Sequence, residues 1–214
     1  MMRMRSVLPL ASILAASAND APPTENDAAA VVSLVVRTEA VAFASAWPGP
    51  VCVQRKIDGR AFDETRREIA NWASPAYAGS TPKEKVDQIR AALTAPQYHW
   101  RPFDAPGGWG SKITLDPDLA HSLDAAAGAL VRKAPGPALV NSVDPQALPP
   151  TVRFCAGETR QPNLSVSAPA FEGNVAFVET GFVCGGLCGN GLLFALRRTY
   201  RGWEVAGVAD TWVS

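Results

Sequence analysis

The residues best suited to chemistry lie in one short run near the C-terminus. The run contains two cysteines and four glycines, namely Cys184, Gly185, Gly186, Cys188, Gly189 and Gly191. Glycine adopts backbone angles that other residues reach only at a cost, and it leaves room for a partner group to approach closely. Exposed glycine N–H groups can also bind an anion. The run therefore predicts either a disulfide-pinned hairpin or a ligand-binding loop.

Two further cysteines, Cys52 and Cys155, bring the total to four, which allows three pairings. We expect Cys184 to bond Cys188, because glycine lets a three-residue turn bring their Cα atoms within bonding range. Cys52 would then bond Cys155 and tie the two halves of the chain together. A thiol–disulfide exchange site at Cys184 and Cys188 is an alternative, although redox motifs usually have two intervening residues. The spacing does not favour a zinc site, so we predict no metal and no cofactor.

A second candidate region is the segment 98–110, whose periodicity fits neither a helix nor a strand and predicts a loop. It places a histidine among aromatic side chains that could stack on a sugar, namely Tyr98, His99, Trp100 and Trp109. The alternative is a packed loop that merely covers the core. The other histidine, His121, should face solvent, because it lies across its helix from the apolar stripe.

Several functional classes are disfavoured by composition and motif. The formal net charge of zero argues against a broad surface for nucleic acid or anionic lipid. No Gly-x-Ser-x-Gly motif occurs, and residues 108–112 match neither a nucleophile elbow nor a phosphate loop. The neighbouring acids Asp116 and Asp118 are typical of a helix start. No catalytic residue is therefore assigned.

The N-terminus predicts export. A basic start, an apolar run and the small-x-small sequence Ala16-Ser17-Ala18 together indicate a signal peptide over residues 1–18. The apolar run is about half the roughly 20 residues needed to span a bilayer, so we predict no transmembrane segment. Ser17 stands where a lipoprotein would have its lipid-accepting cysteine, which predicts release into the periplasm or medium without a lipid anchor.

The remaining chain divides into a flexible lead-in (19–27) and one domain (28–214). The domain has a helical part (28–133), a proline-rich connection (134–150) and a β-rich part (151–214). Helices are predicted from the capping box that starts at Thr24, from about residue 63, from Thr81 as N-cap, and from Asp116. The first should bury a stripe through Val32 and Val36.

Strands are predicted at 50–57 and, with period-two alternation, at 164–167, 175–183, 192–200 and 203–213. The tight link at Arg201-Gly202 requires the last two strands to be antiparallel. We expect an α+β domain in which a helical N-terminal half packs on one face of a C-terminal antiparallel β-meander.

The C-terminal quarter carries a family resemblance. Residues 171–178 (FEGNVAFV), 184–191 (CGGLCGNG), 202–205 (GWEV) and 211–214 (TWVS) resemble a widespread group of uncharacterised bacterial exported proteins and lipoproteins. These proteins share a Cys-Gly-x-Leu-Cys-Gly-x-Gly hairpin and a closing Trp-x-Ser. The resemblance implies a secreted protein with a sheet-forming C-terminus and no established activity. The chain departs from the lipoprotein members at Ser17.

Together these features predict an exported, non-enzymatic module that binds a cell-envelope ligand or acts structurally there. One alternative is a hydrolase of envelope glycans or peptides that uses the aromatic loop around His99. Another is a thiol–disulfide redox partner acting through Cys184 and Cys188. The candidate ligand residues are the glycines of the 184–191 run and the four side chains of the aromatic segment.

Overall fold

The first helix, α1 (Glu25–Ala46), begins at the predicted capping box. The Asp27 carboxylate accepts hydrogen bonds from the Thr24 N–H (3.0 Å) and hydroxyl (2.8 Å), and the Thr24 hydroxyl accepts one from the Asp27 N–H (3.2 Å). Asp27 also accepts from the Trp203 indole N–H (3.3 Å) and pairs with Arg198 (3.2 Å). The same carboxylate therefore caps α1 and fastens its start to the sheet.

The computed structural model describes residues 21–46, 49–74, 81–104, 112–157, 162–185 and 188–213. The predicted signal peptide lies outside these residues. Within these ranges three further α-helices follow α1: α2 (Asp63–Trp72), α3 (Lys83–Thr94) and α4 (Pro117–Arg132). No helix within the described ranges is long and apolar enough to cross a membrane.

The starts of α3 and α4 show where local signals succeed and fail. The Asp116 carboxylate accepts from the Asp118 N–H (3.1 Å) and the Leu119 N–H (3.2 Å), as predicted. The predicted Thr81 cap is wrong, because the N-cap position is Pro82 and no side chain caps this helix. Pro82 has an extended ψ of 133°, so helical geometry begins only at the residue after it.

The described part of the chain forms a sheet of seven strands: β1 (Cys52–Val53), β2 (Arg153–Phe154), β3 (Asn163–Val166), β4 (Ala170–Glu172), β5 (Val175–Gly185), β6 (Cys188–Thr199) and β7 (Gly202–Val213). Their order is β2-β1-β3-β5-β6-β7, with β4 paired to β5 beside β3. The strands β5, β6 and β7 form the predicted antiparallel meander. Gly202 has a φ of 115°, as a tight link requires.

The α+β class is confirmed, and the sheet differs from the prediction in the direction and the length of its N-terminal strand. The N-terminal strand β1 runs parallel to both neighbours, with Cys52 opposite Arg153 of β2 and Asn163 of β3. The sheet is therefore mixed. The predicted 50–57 strand is reduced to two residues and an isolated bridge from Lys56 to Ser142.

Helices cover both faces of the sheet. The expectation that the helical half packs on one face only is therefore wrong. Val178 and Phe194 lie in one core cluster with α1, whereas Phe177 and Leu193 lie in another with α4. Successive side chains of a strand point to opposite faces, so each strand contributes to both clusters. Val32 and Val36 are buried on α1, as the stripe predicted. His121 is exposed.

Both disulfides have the pairing favoured from the sequence. Cys52 is bonded to Cys155 across 103 positions, and Cys184 is bonded to Cys188 across four. The first joins β1 to the end of β2, where the Cys155 N–H donates to the Val53 carbonyl oxygen (3.0 Å). Two disulfides in one chain are typical of proteins from oxidising compartments.

Candidate functional site

The glycines of the 184–191 run lie mostly within strands. β5 extends to Gly185 and β6 starts at Cys188, so Gly189 and Gly191 belong to the β-ladder. Gly185 is exposed with a φ of 145°, and Gly186 lies outside the described residues. The structure therefore places Gly189 and Gly191 in a sheet surface rather than in an open anion-binding loop.

That surface supports the indole of Trp212 on the α4 face of the sheet. A Cβ on Gly191 would overlap the Trp212 Nε1 and Cδ1 atoms, and one on Gly189 would lie 3.0 Å from two ring carbons. A Cβ on Gly181 of β5 would lie 3.6 Å from the same ring. A register shift at Gly191 accompanies this arrangement. The three glycines are therefore needed because an aromatic ring lies on their strands.

The segment 98–101 is held beside the edge strand β7. Arg101 and Val208 exchange two backbone hydrogen bonds of 2.9 Å. The Asp124 carboxylate of α4 accepts from the Tyr98 N–H (3.1 Å) and from the Trp100 indole N–H (2.8 Å). These contacts hold the Tyr98 side chain over the α4 face of the sheet, on the same side as Trp212.

The remaining aromatic-segment residues have other positions. Trp100 is 1% exposed and packs against Phe177 at a ring distance of 6.1 Å, so it is a core residue. His99 is exposed and does not line the cavity beside Tyr98. Trp109 lies outside the described residues. Of the described residues of the predicted aromatic groove, Tyr98 alone lines this cavity.

Glu179 of β5 projects between these aromatic side chains. Its backbone N–H donates to the Ser167 hydroxyl (2.9 Å), and its Oε1 accepts from the Phe62 N–H (3.0 Å). Phe62 has a left-handed φ of 69°, which is strained for a residue with a bulky side chain. Such strain persists where surrounding structure imposes it, often at functional sites. The distorted Phe62 backbone positions the Glu179 carboxyl.

The electrostatics of Glu179 reflect its enclosure. Burial raises its pKa, the hydrogen bond from Phe62 opposes this, and the nearby carboxylates Glu64 and Asp63 raise it further, against a smaller lowering by Arg66. The net shift is upward. Burial also raises the pKa of the Tyr98 phenol, and the negative charge of Glu179 adds to that rise. Tyr98 and Glu179 are therefore electrostatically coupled.

These side chains line a cavity of about 870 Å³ between α2, Tyr98 and the sheet. Its walls hold two aromatic rings, Tyr98 and Trp212, and five carboxyl groups, those of Asp58, Glu64, Glu68, Glu179 and Asp210. No lysine or arginine among the described residues lines it. We call it the acidic–aromatic cavity. Its volume suits a small organic ligand.

Two of the five carboxylates are already paired. Asp58 meets Lys56 (3.0 Å), and Asp210 meets the buried Arg101 (3.1 Å). Glu64, Glu68 and Glu179 have no ion-pair partner within the part of the chain that the structure describes. No group of acids and histidines in that same part is arranged to hold a metal ion. The cavity thus presents unneutralised negative charge without a metal-binding geometry.

A second cavity, of about 370 Å³, differs in its chemistry. Prolines and other apolar groups form much of its wall, together with three cations that already have partners. Arg60 and Arg66 both pair with Asp63, and Lys133 pairs with Glu172. This cavity offers less unsatisfied charge than the acidic–aromatic one.

Glu179 and Trp212 belong to the site, although no sequence pattern predicts them as site residues. Glu179 lies in an ordinary strand pattern, and its partner Phe62 is 117 positions away. The spacing of Gly189 and Gly191 was the available signal, since two glycines on one face of a strand can accommodate a ring.

Comparison of the chain with models of known protein families, with curated proteins and with solved structures gives no match.

Proposed function

We propose that this protein is an exported, non-enzymatic binding module of the cell envelope whose ligand is a small organic cation held in the acidic–aromatic cavity. The observation that carries the proposal is a set of three carboxylates without an ion-pair partner among the described residues, Glu64, Glu68 and Glu179, in a cavity walled by Tyr98 and Trp212. Carboxylates attract a cation through charge, and an aromatic face attracts it through its quadrupole.

Two features favour an organic cation over other ligands. The carboxylates do not form a metal-binding group, which disfavours an inorganic divalent ion. Trp212 is 41% exposed, and its indole offers apolar surface that an alkylammonium group can cover. Anionic ligands would be repelled, because no described lysine or arginine faces the cavity.

The serine hydroxyls of the cavity support binding rather than nucleophilic catalysis. The Ser165 hydroxyl donates to the Gly181 carbonyl oxygen (3.1 Å), and the Ser167 hydroxyl accepts from the Glu179 N–H (2.9 Å). Both hydroxyls are therefore already engaged with the backbone of β5. His99, the residue of the hydrolase alternative, lies outside the cavity lining. The Cys184–Cys188 bond closes the β5–β6 hairpin, against whose glycines the Trp212 indole lies.

Calorimetry with benzyltrimethylammonium, a cation whose charge does not change with pH, tests the ligand class. Trp212→Ala should weaken binding about tenfold by removing the cation–π contact. Glu179→Gln should weaken it by at least about tenfold by removing one charge-assisted contact. His99→Ala and Glu84→Gln, which alter exposed groups outside the cavity, should bind as the parent does. Equal affinity of a neutral analogue such as neopentylbenzene would contradict the proposal.

Export is proposed from the predicted signal segment, the C-terminal resemblance and the two disulfides. Expression of the full chain in a bacterial host should yield an exported protein beginning at Asn19, because cleavage is expected after Ala18. Intact-mass measurement of the periplasmic and medium fractions checks this. The Ser17→Cys variant serves as the comparison, because it introduces the thiol that lipid attachment requires. Retention of residues 1–18 or lipidation of the parent would contradict this part of the proposal.

A further inference from the structure

Two buried polar side chains lie on the α1 face of the sheet, away from the carboxylates of the cavity. Glu39 of α1 and Asn190 of β6 are each 1% exposed. Among the described residues, neither the Glu39 carboxyl oxygens nor the Asn190 carboxamide atoms have a hydrogen-bond partner. Buried polar groups in native proteins are nearly always paired, so these two require an explanation.

Glu39 packs against β5, the strand that carries the cavity carboxylate of Glu179. It lies beside Thr180 of β5, whose hydroxyl is directed at the Leu192 carbonyl oxygen at 3.5 Å. Thr180 follows Glu179 in the chain, and neighbouring strand residues point to opposite faces. Glu39 therefore contacts the rear of the β5 segment whose front presents Glu179.

Asn190 lies behind the Trp212 indole, as Glu39 lies behind Glu179. Phe43, one turn after Glu39 on α1, stacks on Phe182 of β5 at a ring distance of 3.9 Å, and Phe182 is paired in register with Asn190. Asn190 precedes Gly191, on whose opposite face Trp212 lies. The end of α1 thus rests on β5, which lines the cavity, and near β6, whose Gly189 and Gly191 lie under the Trp212 indole.

The charged groups on the elements packed against α1 are paired, bound to backbone, exposed or directed to the other face. They are Asp27 with Arg198, Asp210 with Arg101, Asp144 with the Gln146 N–H, the exposed Arg197 and Glu204, and Glu179. Burial is the largest influence on Glu39 and raises the pKa of this carboxyl to about 8, against a smaller lowering by the nearby Thr180 hydroxyl, whose hydrogen bond goes to the Leu192 carbonyl oxygen. Glu39 is therefore a neutral acid below that pH.

We infer that Glu39 is a proton-operated control of the acidic–aromatic cavity, which rests on the function proposed above. With its proton bound, the neutral carboxyl stays between α1 and the sheet. When the proton passes to solvent, the carboxylate is expelled toward water, since an unpaired buried charge is strongly unfavourable. The end of α1 then separates from β5 and β6, and the Glu179 and Trp212 positions loosen.

Urea unfolding of the full chain from about pH 5 to about pH 9 tests the proton-binding step. The folded state keeps the Glu39 proton up to about pH 8, whereas the unfolded state loses it near the ordinary value of 4.5. The contribution of Glu39 to the free energy of unfolding is thus largest below pH 4.5 and falls as the pH rises from 4.5 to about 8. Above about pH 8 it no longer changes. Across that window, titration of Glu39 should raise the equilibrium constant for unfolding by up to about tenfold per pH unit.

Glu39→Gln should lack this component, and Glu25→Gln, an exposed acid of the same helix, should retain it. If the glutamine variant does not fold, Glu39→Met serves as a second neutral replacement. Identical pH profiles for the parent and a folded neutral variant would overturn the inference.

Hydrogen exchange without ligand tests coupling to the cavity. After correction for the intrinsic pH dependence of exchange, residues 179–185 and 188–193 should lose about tenfold protection between about pH 7 and about pH 9 in the parent and none in Glu39→Gln. Benzyltrimethylammonium affinity should fall in parallel in the parent alone. Unchanged protection in the parent would overturn the coupling. Absence of binding at every pH would instead reject the proposed function and leave the exchange result decisive for Glu39.

Discussion

Replacing Cys52 and Cys155 together with alanine should lower the free energy of unfolding by about 4 to 5 kcal/mol. The bond closes a loop across 103 positions, and a long closed loop removes much conformational entropy from the unfolded chain. It also joins β1 to β2, two strands of only two residues each, which have few ladder contacts of their own. Urea unfolding of the oxidised parent and the double variant measures the difference.

The matched control is the Cys184→Ala, Cys188→Ala double variant. Its loop spans four positions, for which the same chain-entropy relation gives roughly 2 kcal/mol. The hairpin it closes is also supported by the long β5–β6 ladder. A larger loss from removing the short bridge than from removing the long one would contradict the assignment of Cys52–Cys155 as the main covalent contribution to stability.

Gly191→Ala should destabilise the fold by about 1 to 3 kcal/mol through overpacking. The added methyl group would overlap the Trp212 indole and the Thr211 hydroxyl, so the ring must leave its position on the sheet. Displacing the ring also alters a wall of the acidic–aromatic cavity. Binding of benzyltrimethylammonium should therefore fall by about as much as in Trp212→Ala.

Two companion variants make this result specific. Gly136→Ala adds the same methyl group where nothing lies within 4 Å, so it should be neutral or slightly stabilising. Combining Gly191→Ala with Trp212→Ala removes the main overlapping group, and the double variant should lose less stability than the sum of the single changes. Strict additivity would show that Gly191 is required for a reason other than the indole.

Much of the fold could be predicted because its signals are local. The Thr24–Asp27 box and the Asp116 cap operate within three positions of the chain, and both are present as expected. The wrong prediction at Thr81 also concerns adjacent residues, since the conformation of Pro82 decides where α3 begins. Strand alternation in the C-terminal part likewise depends on adjacent residues.

The candidate site was less predictable, because its geometry depends on contacts across more than 100 positions. The Phe62 N–H reaches Glu179 over 117 positions, and Arg101 reaches Asp210 over 109. The aromatic surroundings of Tyr98 predict a groove, yet its neighbour Trp100 lies in the core and its neighbour His99 is exposed to solvent. Only the pairing of this segment with β7 determined which side chain faces the cavity.

The sequence by itself determined the α+β composition, the helix starts at Thr24 and Asp116 and the favoured cysteine pairing, because each depends on neighbouring residues or on simple chain geometry. The tertiary structure alone decided that β1 lies between β2 and β3 and that helices cover both faces. It also placed Trp212 over the glycines and Glu179 in the cavity. Those outcomes depend on which apolar surfaces meet when the whole chain packs, and no local pattern specifies that choice.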